Sequence, residues 1–297
     1  MKTFSNFQFA GLSYPNLTNI GDHIQSIAAE RLLPRVDKRF ERDGLRHLDE
    51  PDQSVLVMNG WFSHRPEDCF PLAKNIVPIY FGFHLTHWNG SWNYVLNNEQ
   101  CLEHFRMNGP IGCRDSHTAA KLSSAGIETF YSKCLTLTFP KAPSRPRHGW
   151  NVIVDVPFPL PPSIEDRSIR ISHAVSPKMQ EHKKRRNAED VLDFYRNNAN
   201  LVITTRLHCA LPCLALGIPV VFFGDSNDYR ISITKDLGLP IYSRPEKFFK
   251  RSGCDIKMFW DSVDWQPDTL DIEQEKQGIL DSFSAQLWRR ASSLRPR

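Results

Sequence analysis

Leu201-Val202-Ile203-Thr204-Thr205-Arg206-Leu207-His208-Cys209-Ala210-Leu211-Pro212-Cys213-Leu214-Ala215-Leu216-Gly217-Ile218-Pro219-Val220-Val221-Phe222-Phe223 is the stretch whose reading decides the fold. Its two ends, Leu201–Thr204 and Val220–Phe223, are nearly continuous apolar runs of β-branched and aromatic residues. Continuous rather than alternating apolarity suits strands buried on both faces of a parallel sheet. A helical pattern rich in Cys, Ala and Leu joins them. Pro212 constrains where that helix begins. Deep in a helix, proline removes a hydrogen bond and strikes the carbonyl four residues back. The helix is therefore expected to start near His208 or Cys209, with Pro212 in or near its first turn. Arg206 and His208 then stand at the strand-to-helix corner.

The same alternation recurs along the chain. Ser54–Met58, Ile76–Phe81, Asn151–Val156 and Ile169–Ser172 are strand-like. Ile20, Ile24, Ile27, Ala28 and Leu32 form one helical stripe, and Ser116–Ala125 and Ala188–Asn197 are similar. Strands alternating with helices indicate an α/β protein. The 297 residues suit two domains of roughly 100–150 residues each. Pro140–Trp150, rich in proline and basic residues, is the expected linker, and a second proline-rich loop follows at Pro157–Ile164. The expectation is two domains, 1–145 and 146–297, facing across a cleft, with ligands beyond the carboxyl ends of the strands.

Composition excludes more than it selects. The hydrophobic and charged fractions, 40% and 24%, are those of a globular protein. A net charge of +4 gives no reason to expect nucleic acid. The basic run Lys183-Lys184-Arg185-Arg186 is expected on a solvated helix face. Seven cysteines at irregular spacings, including Cys254, form no C-x-x-C pair, so no zinc ribbon or redox motif is present. Cys209 and Cys213, four apart on an apolar helix, are expected to act as small hydrophobes in a reducing, cytoplasmic protein. Met1 to Ala10 lacks the apolar core of a signal peptide, and no apolar run is long enough to span a membrane.

Five loops follow strands or precede helices where a ligand is expected. Asn16–Asp22 precedes the first amphipathic helix, where Asn19, Gly21 and Asp22 can cap it or present its N–H groups to an anion or sugar hydroxyl. Asn59-Gly60-Trp61-Phe62-Ser63-His64 follows a strand, and Trp61 suits the apolar face of a sugar ring as well as it suits the end of a core. His84, at another strand end, is a candidate acid, base or hydroxyl ligand, or a capping residue. Gly109–Asp115 places Arg114 near a helix start, a site for phosphate or carboxylate unless Arg114 pairs with an acid. Arg206 and His208, beside a helix N-terminus, form the fifth.

Taken in order, these motifs resemble the polysaccharide pyruvyl transferase family. Asn19-Ile20-Gly21-Asp22 is similar to its Asn-x-Gly-Asp element. Gly112-Cys113-Arg114-Asp115 with Thr118 and Gly126-Ile127 is similar to its Arg-Asp-x-x-Thr stretch. Thr205-Arg206-Leu207-His208 followed by Leu216-Gly217-Ile218-Pro219 resembles its most distinctive motif. Asn59-Gly60-Trp61, Gly82-Phe83-His84 and Cys134-Leu135-Thr136-Leu137-Thr138 resemble one bacterial and plant branch. Many members carry an acid where this chain has Ser132-Lys133-Cys134, so that acid's role does not transfer.

The resemblance implies two Rossmann-like domains arranged as in GT-B glycosyltransferases, phosphoenolpyruvate as co-substrate, and a pyruvate ketal on a hexose as product. No metal is required on this reading, because arginines can neutralise the donor's charge, and no cofactor is expected. On that reading Arg114, Arg206 and His208 bind the donor. His208 protonates the donor's methylene carbon, and His84 accepts a hydroxyl proton. Asn19, Asp22, Asn59, Trp61 and His84 place the acceptor glycan, expected to be a lipid-linked precursor. A nucleotide-sugar glycosyltransferase and a non-catalytic glycan-binding protein are the rival readings. At the C-terminus, Phe283, Leu287, Trp288, Ala291 and Leu294 share a helical face, near Arg289, Arg290, Arg295 and Arg297. Such a helix fits an anionic membrane on the inner face of the cell or, the preferred reading, packing on the N-terminal domain.

Overall fold

The computed structural model describes residues 7–245 and 256–294. Cys254, Arg295 and Arg297 lie outside the described residues, as does the first part of the segment read for a signal peptide. The chain forms two compact units. Unit 1 holds residues 22–135 together with the described residues before 18 and after 276. Unit 2 holds Thr18–Gly21 and the described part of Thr136–Lys276.

Unit 1 is built on six parallel strands, β1 (Gln8–Ser13), β2 (Lys38–Glu41), β3 (Ser54–Trp61), β4 (Ile76–His84), β5 (Ile111–Cys113) and β6 (Thr129–Tyr131). Their order across the sheet is β2-β1-β3-β4-β5-β6. Unit 2 carries five parallel strands, β7 (Trp150–Val154), β8 (Ser168–Ile171), β9 (Ala199–Thr204), β10 (Val220–Phe223) and β11 (Ile241–Tyr242), in the order β11-β10-β9-β7-β8. The two sheets share one topology, in which the strand order reverses beside the first strand. The reversal lies between β1 and β3 in unit 1 and between β7 and β9 in unit 2. Crevices at the carboxyl ends of strands at such a switch point are the usual ligand sites of open parallel sheets.

The inner strands are buried on both faces, as their composition requires, while the edge strands are mostly half-buried or exposed. In β3 every residue from Ser54 to Gly60 is buried, and in β10 all four are. The register of β3 against β4 shifts between Met58 and Gly60. Gly82 sits at that irregularity with φ +72°, and a Cβ there would stand 2.2 Å from Asn59 Oδ1. Only glycine tolerates both the left-handed backbone and that approach.

The helix after β9 spans Leu207–Leu216 with a kink at His208, whose φ −83° and ψ +20° are not helical. His208 is the residue four before Pro212, the one whose carbonyl the pyrrolidine ring opposes. Regular helix therefore runs from Cys209, and Pro212 falls in its first turn, as the proline led one to expect.

One surface expectation changes. Lys184, one of the four basic residues on the helix Glu181–Asn198, is fully buried, with Nζ 3.5 Å from the Pro177 carbonyl, while Arg185 and Arg186 pair with Glu189 and Asp190. The final helix, Glu273–Ser293, buries Phe283, Leu287 and Ala291 and leaves Trp288 half exposed. Phe283 meets Phe81 edge to face at 5.4 Å, and Arg290 donates to the carbonyls of Asn108 and Gly109. The apolar face read from the sequence is thereby used within unit 1. No helix among the described residues is long and apolar enough to cross a membrane.

Candidate active site

At the switch point of unit 2 the carboxyl ends of β7 and β9 bring Asp155 and Arg206 together. Asp155 takes a left-handed backbone, φ +50°, which short polar side chains tolerate. Its carboxylate accepts hydrogen bonds from Ser172 Oγ at 2.6 Å, the His173 amide at 3.1 Å and Arg206 Nε at 2.9 Å. Burial pushes its pKa up, but these hydrogen bonds and the Arg206 charge outweigh it and hold the group below the usual carboxylate range. Thr204 Oγ1 donates to the Val154 carbonyl and accepts from the Arg206 amide, and Thr205 Oγ1 donates to the Asp155 carbonyl. The Thr-Thr-Arg corner is thus fastened to Val154 at the end of β7 and to Asp155 just beyond it. Arg206 gives Nε to Asp155 while 40% of its side chain remains accessible. A planar fork held through Nε can still offer its outer nitrogens to a further partner.

Residues nearly two hundred positions earlier complete this corner. Thr18 and Ile20 pair with the segment after β8: the Val175 amide donates to the Thr18 carbonyl at 2.8 Å, and the Ile20 amide to the His173 carbonyl at 2.9 Å. Asn19 bridges Ala174 in antiparallel fashion, and its Oδ1 accepts the Gly21 amide at the start of the helix Gly21–Glu30. A Cβ on Gly21 would approach His208 Cβ to 3.3 Å and Asn19 Oδ1 to 3.2 Å. Gly21 therefore lets the Asn-Ile-Gly turn close onto His208. Behind it, buried His173 Nε2 lies 2.7 Å from Tyr195 Oη, and Cys209 Sγ donates toward the same oxygen at 3.3 Å. Cys209 is accordingly a hydrogen-bonded anchor of the helix as well as an apolar filler.

Unit 1 gathers a second polar group at its own switch point. Asp22 lies in the first turn of the helix Gly21–Glu30, and burial raises its pKa against the lowering charge of Arg42. Arg42, the residue after β2, is 1% exposed and holds Asp43 in a two-pronged ion pair at 2.8 and 2.9 Å. Its guanidinium lies 5.5 Å from the ring centroids of both Tyr14 and Trp61. Trp61 is half buried and donates its indole N–H to Thr86 Oγ1.

The remaining expected residues are buried among structural partners. Asn59 is 1% exposed and donates to the Gln25 carbonyl, tying β3 to the helix Gly21–Glu30. His84 is 1% exposed, with Nδ1 2.6 Å from Asp115 Oδ2 and 3.3 Å from Thr118 Oγ1. Asp115 also accepts the Thr118 amide and caps the helix Ser116–Ser124. The Arg-Asp-x-x-Thr stretch thus contains a helix cap locked to His84. Arg114 is 4% exposed, its amide bonded to the Phe83 carbonyl, and its charge acts on both Asp22 and Asp115.

Asp155, Arg42 and Asp43 were not among the expected site residues. Asp155 carried one readable signal, an acid directly after the apolar run Asn151–Val154. Arg42 and Asp43 stand in an undistinguished charged stretch and carried none. No cluster of three or more metal-ligating side chains occurs among the described residues. A hollow of about 800 Å³ in unit 2, lined by Asn151, Asn200, Pro219 and Trp265, opens at the amino ends of the strands, away from Arg206.

No curated protein matches this chain. A functionally uncharacterised protein of Klebsiella pneumoniae subsp. pneumoniae NTUH-K2044 is similar in structure at 16% identity and a TM-score of 0.45, over 79% of this chain and 89% of that one. The sequence profile of the polysaccharide pyruvyl transferase family matches residues 19–227, from the Asn-Ile-Gly-Asp turn to just beyond β10. With more than two thirds of its length matched, and both ends of the Arg206–His208 corner inside the match, the chain belongs to the polysaccharide pyruvyl transferase family.

Proposed function

We propose that this protein moves pyruvate from phosphoenolpyruvate onto two hydroxyls of a hexose in a lipid-linked glycan precursor, forming a cyclic ketal. The observation that carries this reading is the unit 2 corner, where a tethered arginine and a histidine share a switch point closed by the Asn-Ile-Gly turn. The donor brings a phosphate and a carboxylate, and forked guanidinium groups suit both. Arg206 takes that role. His208 gives a proton to the methylene carbon, and the neighbouring carbon becomes oxocarbenium-like. A sugar hydroxyl attacks that carbon, phosphate leaves with the electrons of its C–O bond, and a second hydroxyl closes the ring. Asn19 binds the sugar beside Arg206 and His208. Asn59 and His84 act through the backbone and the helix cap they hold.

The test is donor choice. Calorimetry with phosphoenolpyruvate should show saturable binding, and phosphate should be released once a hexose glycoside is added. Binding of nucleotide sugars in preference to phosphoenolpyruvate would replace this reading with ordinary glycosyl transfer, since α/β units of this kind serve both chemistries. Donor binding without phosphate release from any acceptor would make the protein a binder.

A further inference from the structure

Asp155 directly follows β7, with its backbone in the left-handed region at φ +50°. There its carboxylate meets Arg206 Nε at 2.9 Å. Its other donors among the described residues are neutral, Ser172 Oγ and the His173 amide. Burial raises the Asp155 pKa, but the hydrogen bonds from Ser172 and the His173 amide and the charge of Arg206 lower it further. The carboxylate is therefore ionised at neutral pH, and the Asp155–Arg206 pair carries no net charge. Only 14% of the Asp155 side chain is accessible, so salt and water screen its charge weakly.

The way Arg206 is held limits what else it can bind. A guanidinium presents forks of parallel N–H bonds to a partner with two oxygens. Asp155 meets it through Nε, at the side of the group, so the end-on fork of Nη1 and Nη2 is the one that remains. The backbone under it is fixed, because the Arg206 amide donates to Thr204 Oγ1 and Thr205 Oγ1 donates to the Asp155 carbonyl. An anion docking on that end feels the Asp155 charge behind the guanidinium. Coulomb repulsion scales with the charge brought in. A carboxylate brings a single negative charge, whereas a phosphate monoester brings about 1.5–2 at neutral pH. A charge-balanced fork therefore favours a carboxylate over a phosphate.

We infer that Arg206 receives the carboxylate of phosphoenolpyruvate and not its phosphate, and that Asp155 is the positioning residue that imposes this choice. The inference rests on the pyruvyl-transfer reading and adds which end of the donor the corner holds. In phosphoenolpyruvate the carboxylate carbon, the methylene carbon and the phosphate oxygen are all bonded to one central carbon. Clamping the carboxylate therefore restricts the methylene carbon, the atom that His208 protonates from the kinked start of the helix two residues on. The phosphate can then depart without breaking an ion pair with Arg206.

The experiment titrates the full chain by calorimetry, at neutral pH and fixed salt, with two ligands. One is phosphoenolpyruvate, and the other is its carboxamide, which keeps the phosphate and replaces the carboxylate by a neutral amide. Wild type should prefer phosphoenolpyruvate by at least about tenfold. Arg206→Ala should bring the two ligands within about twofold of each other and leave the carboxamide within about threefold of its wild-type affinity. Asparagine tolerates the left-handed backbone, so Asp155→Asn removes the charge without straining the turn. It should cut the preference by at least about threefold, while the carboxamide binds as well as before or better. A merely structural role for Asp155 would weaken both ligands alike. In the Arg206→Ala background, Asp155→Asn should have no further effect on the preference, because Asp155 acts through Arg206. A wild type that binds the two ligands equally, an Arg206→Ala protein that loses both alike, or an Asp155→Asn protein with undiminished preference overturns the inference alone. A wild type that binds no phosphoenolpyruvate overturns the transfer reading and the inference together.

Discussion

Replacing Arg206 by Ala separates anion binding from folding. Arg206 meets Asp155 through Nε, and its side chain is 40% accessible. A surface pair of that kind contributes about 0–1 kcal/mol, so its loss should barely move the unfolding midpoint. Asp155 keeps Ser172 Oγ and the His173 amide as donors, so no carboxylate is stranded. The guanidinium's outer nitrogens are what a donor anion would lose. A hydrogen bond to a charged group is worth about 1.5–3 kcal/mol, so two give about 3–6 kcal/mol gross. Partial exposure reduces this to about 2–4 kcal/mol. At about 1.4 kcal/mol per factor of ten, the dissociation constant for phosphoenolpyruvate should rise about 30- to 1000-fold. Arg206→Lys should fall between, since one ammonium cannot serve Asp155 and a planar anion in the same geometry. Calorimetric titration at fixed salt is the assay, with circular dichroism as the folding control. A folded Arg206→Ala protein that binds phosphoenolpyruvate within twofold of wild type would refute the assignment of Arg206 as the anion site.

Three further outcomes follow from the same geometry. His208→Ala should bind phosphoenolpyruvate but lose phosphate release in the presence of an acceptor by about 100-fold or more, and wild-type turnover would remove the proton-donor role. Phe283→Ala, at a site 1% exposed against Phe81, should cost about 3–5 kcal/mol in urea unfolding, and a cost below about 1 kcal/mol would mean that the final helix is not packed on unit 1. Burial and then the nearby Arg290 push the His104 pKa down from 6.5 to about 4. A depressed histidine contributes stability that is whole above the unfolded pKa and lost as pH falls through the folded one. Unfolding free energy should therefore drop between pH 6.5 and about 4, and His104→Gln should flatten that drop.

The fold class was legible in the strands. Leu201–Thr204 and Val220–Phe223 lie within β9 and β10, and the runs at Ser54, Ile76, Asn151 and Ile169 each fall on a strand. Double-sided burial leaves a local composition that needs no distant partner to be recognised. Pro212 was legible in the same local way. Proline opposes the carbonyl four residues back, and the helix is kinked at that residue, His208.

The site was legible in part. Arg206 and His208 could be read because their corner is contiguous in sequence, a strand end followed at once by a helix. That the Asn19–Gly21 turn belongs to unit 2 and closes on His208 could not, because backbone pairing to His173 and Val175 sets it, over more than 150 residues of intervening chain. Asn59 and His84 illustrate the converse. Both stand at strand ends, as a ligand-binding residue would, yet burial beside Gln25, Asp115 and Thr118 makes them parts of the frame. Sequence by itself determined two things, the parallel α/β class and the identity of the Thr-Thr-Arg-Leu-His corner, because both are carried by neighbours along the chain. Only the tertiary structure decided which charges meet: Asp155 with Arg206, and Arg42 with Asp43. A carboxylate acquires its partner, its ionisation and its role from what folding places within about 3 Å of it.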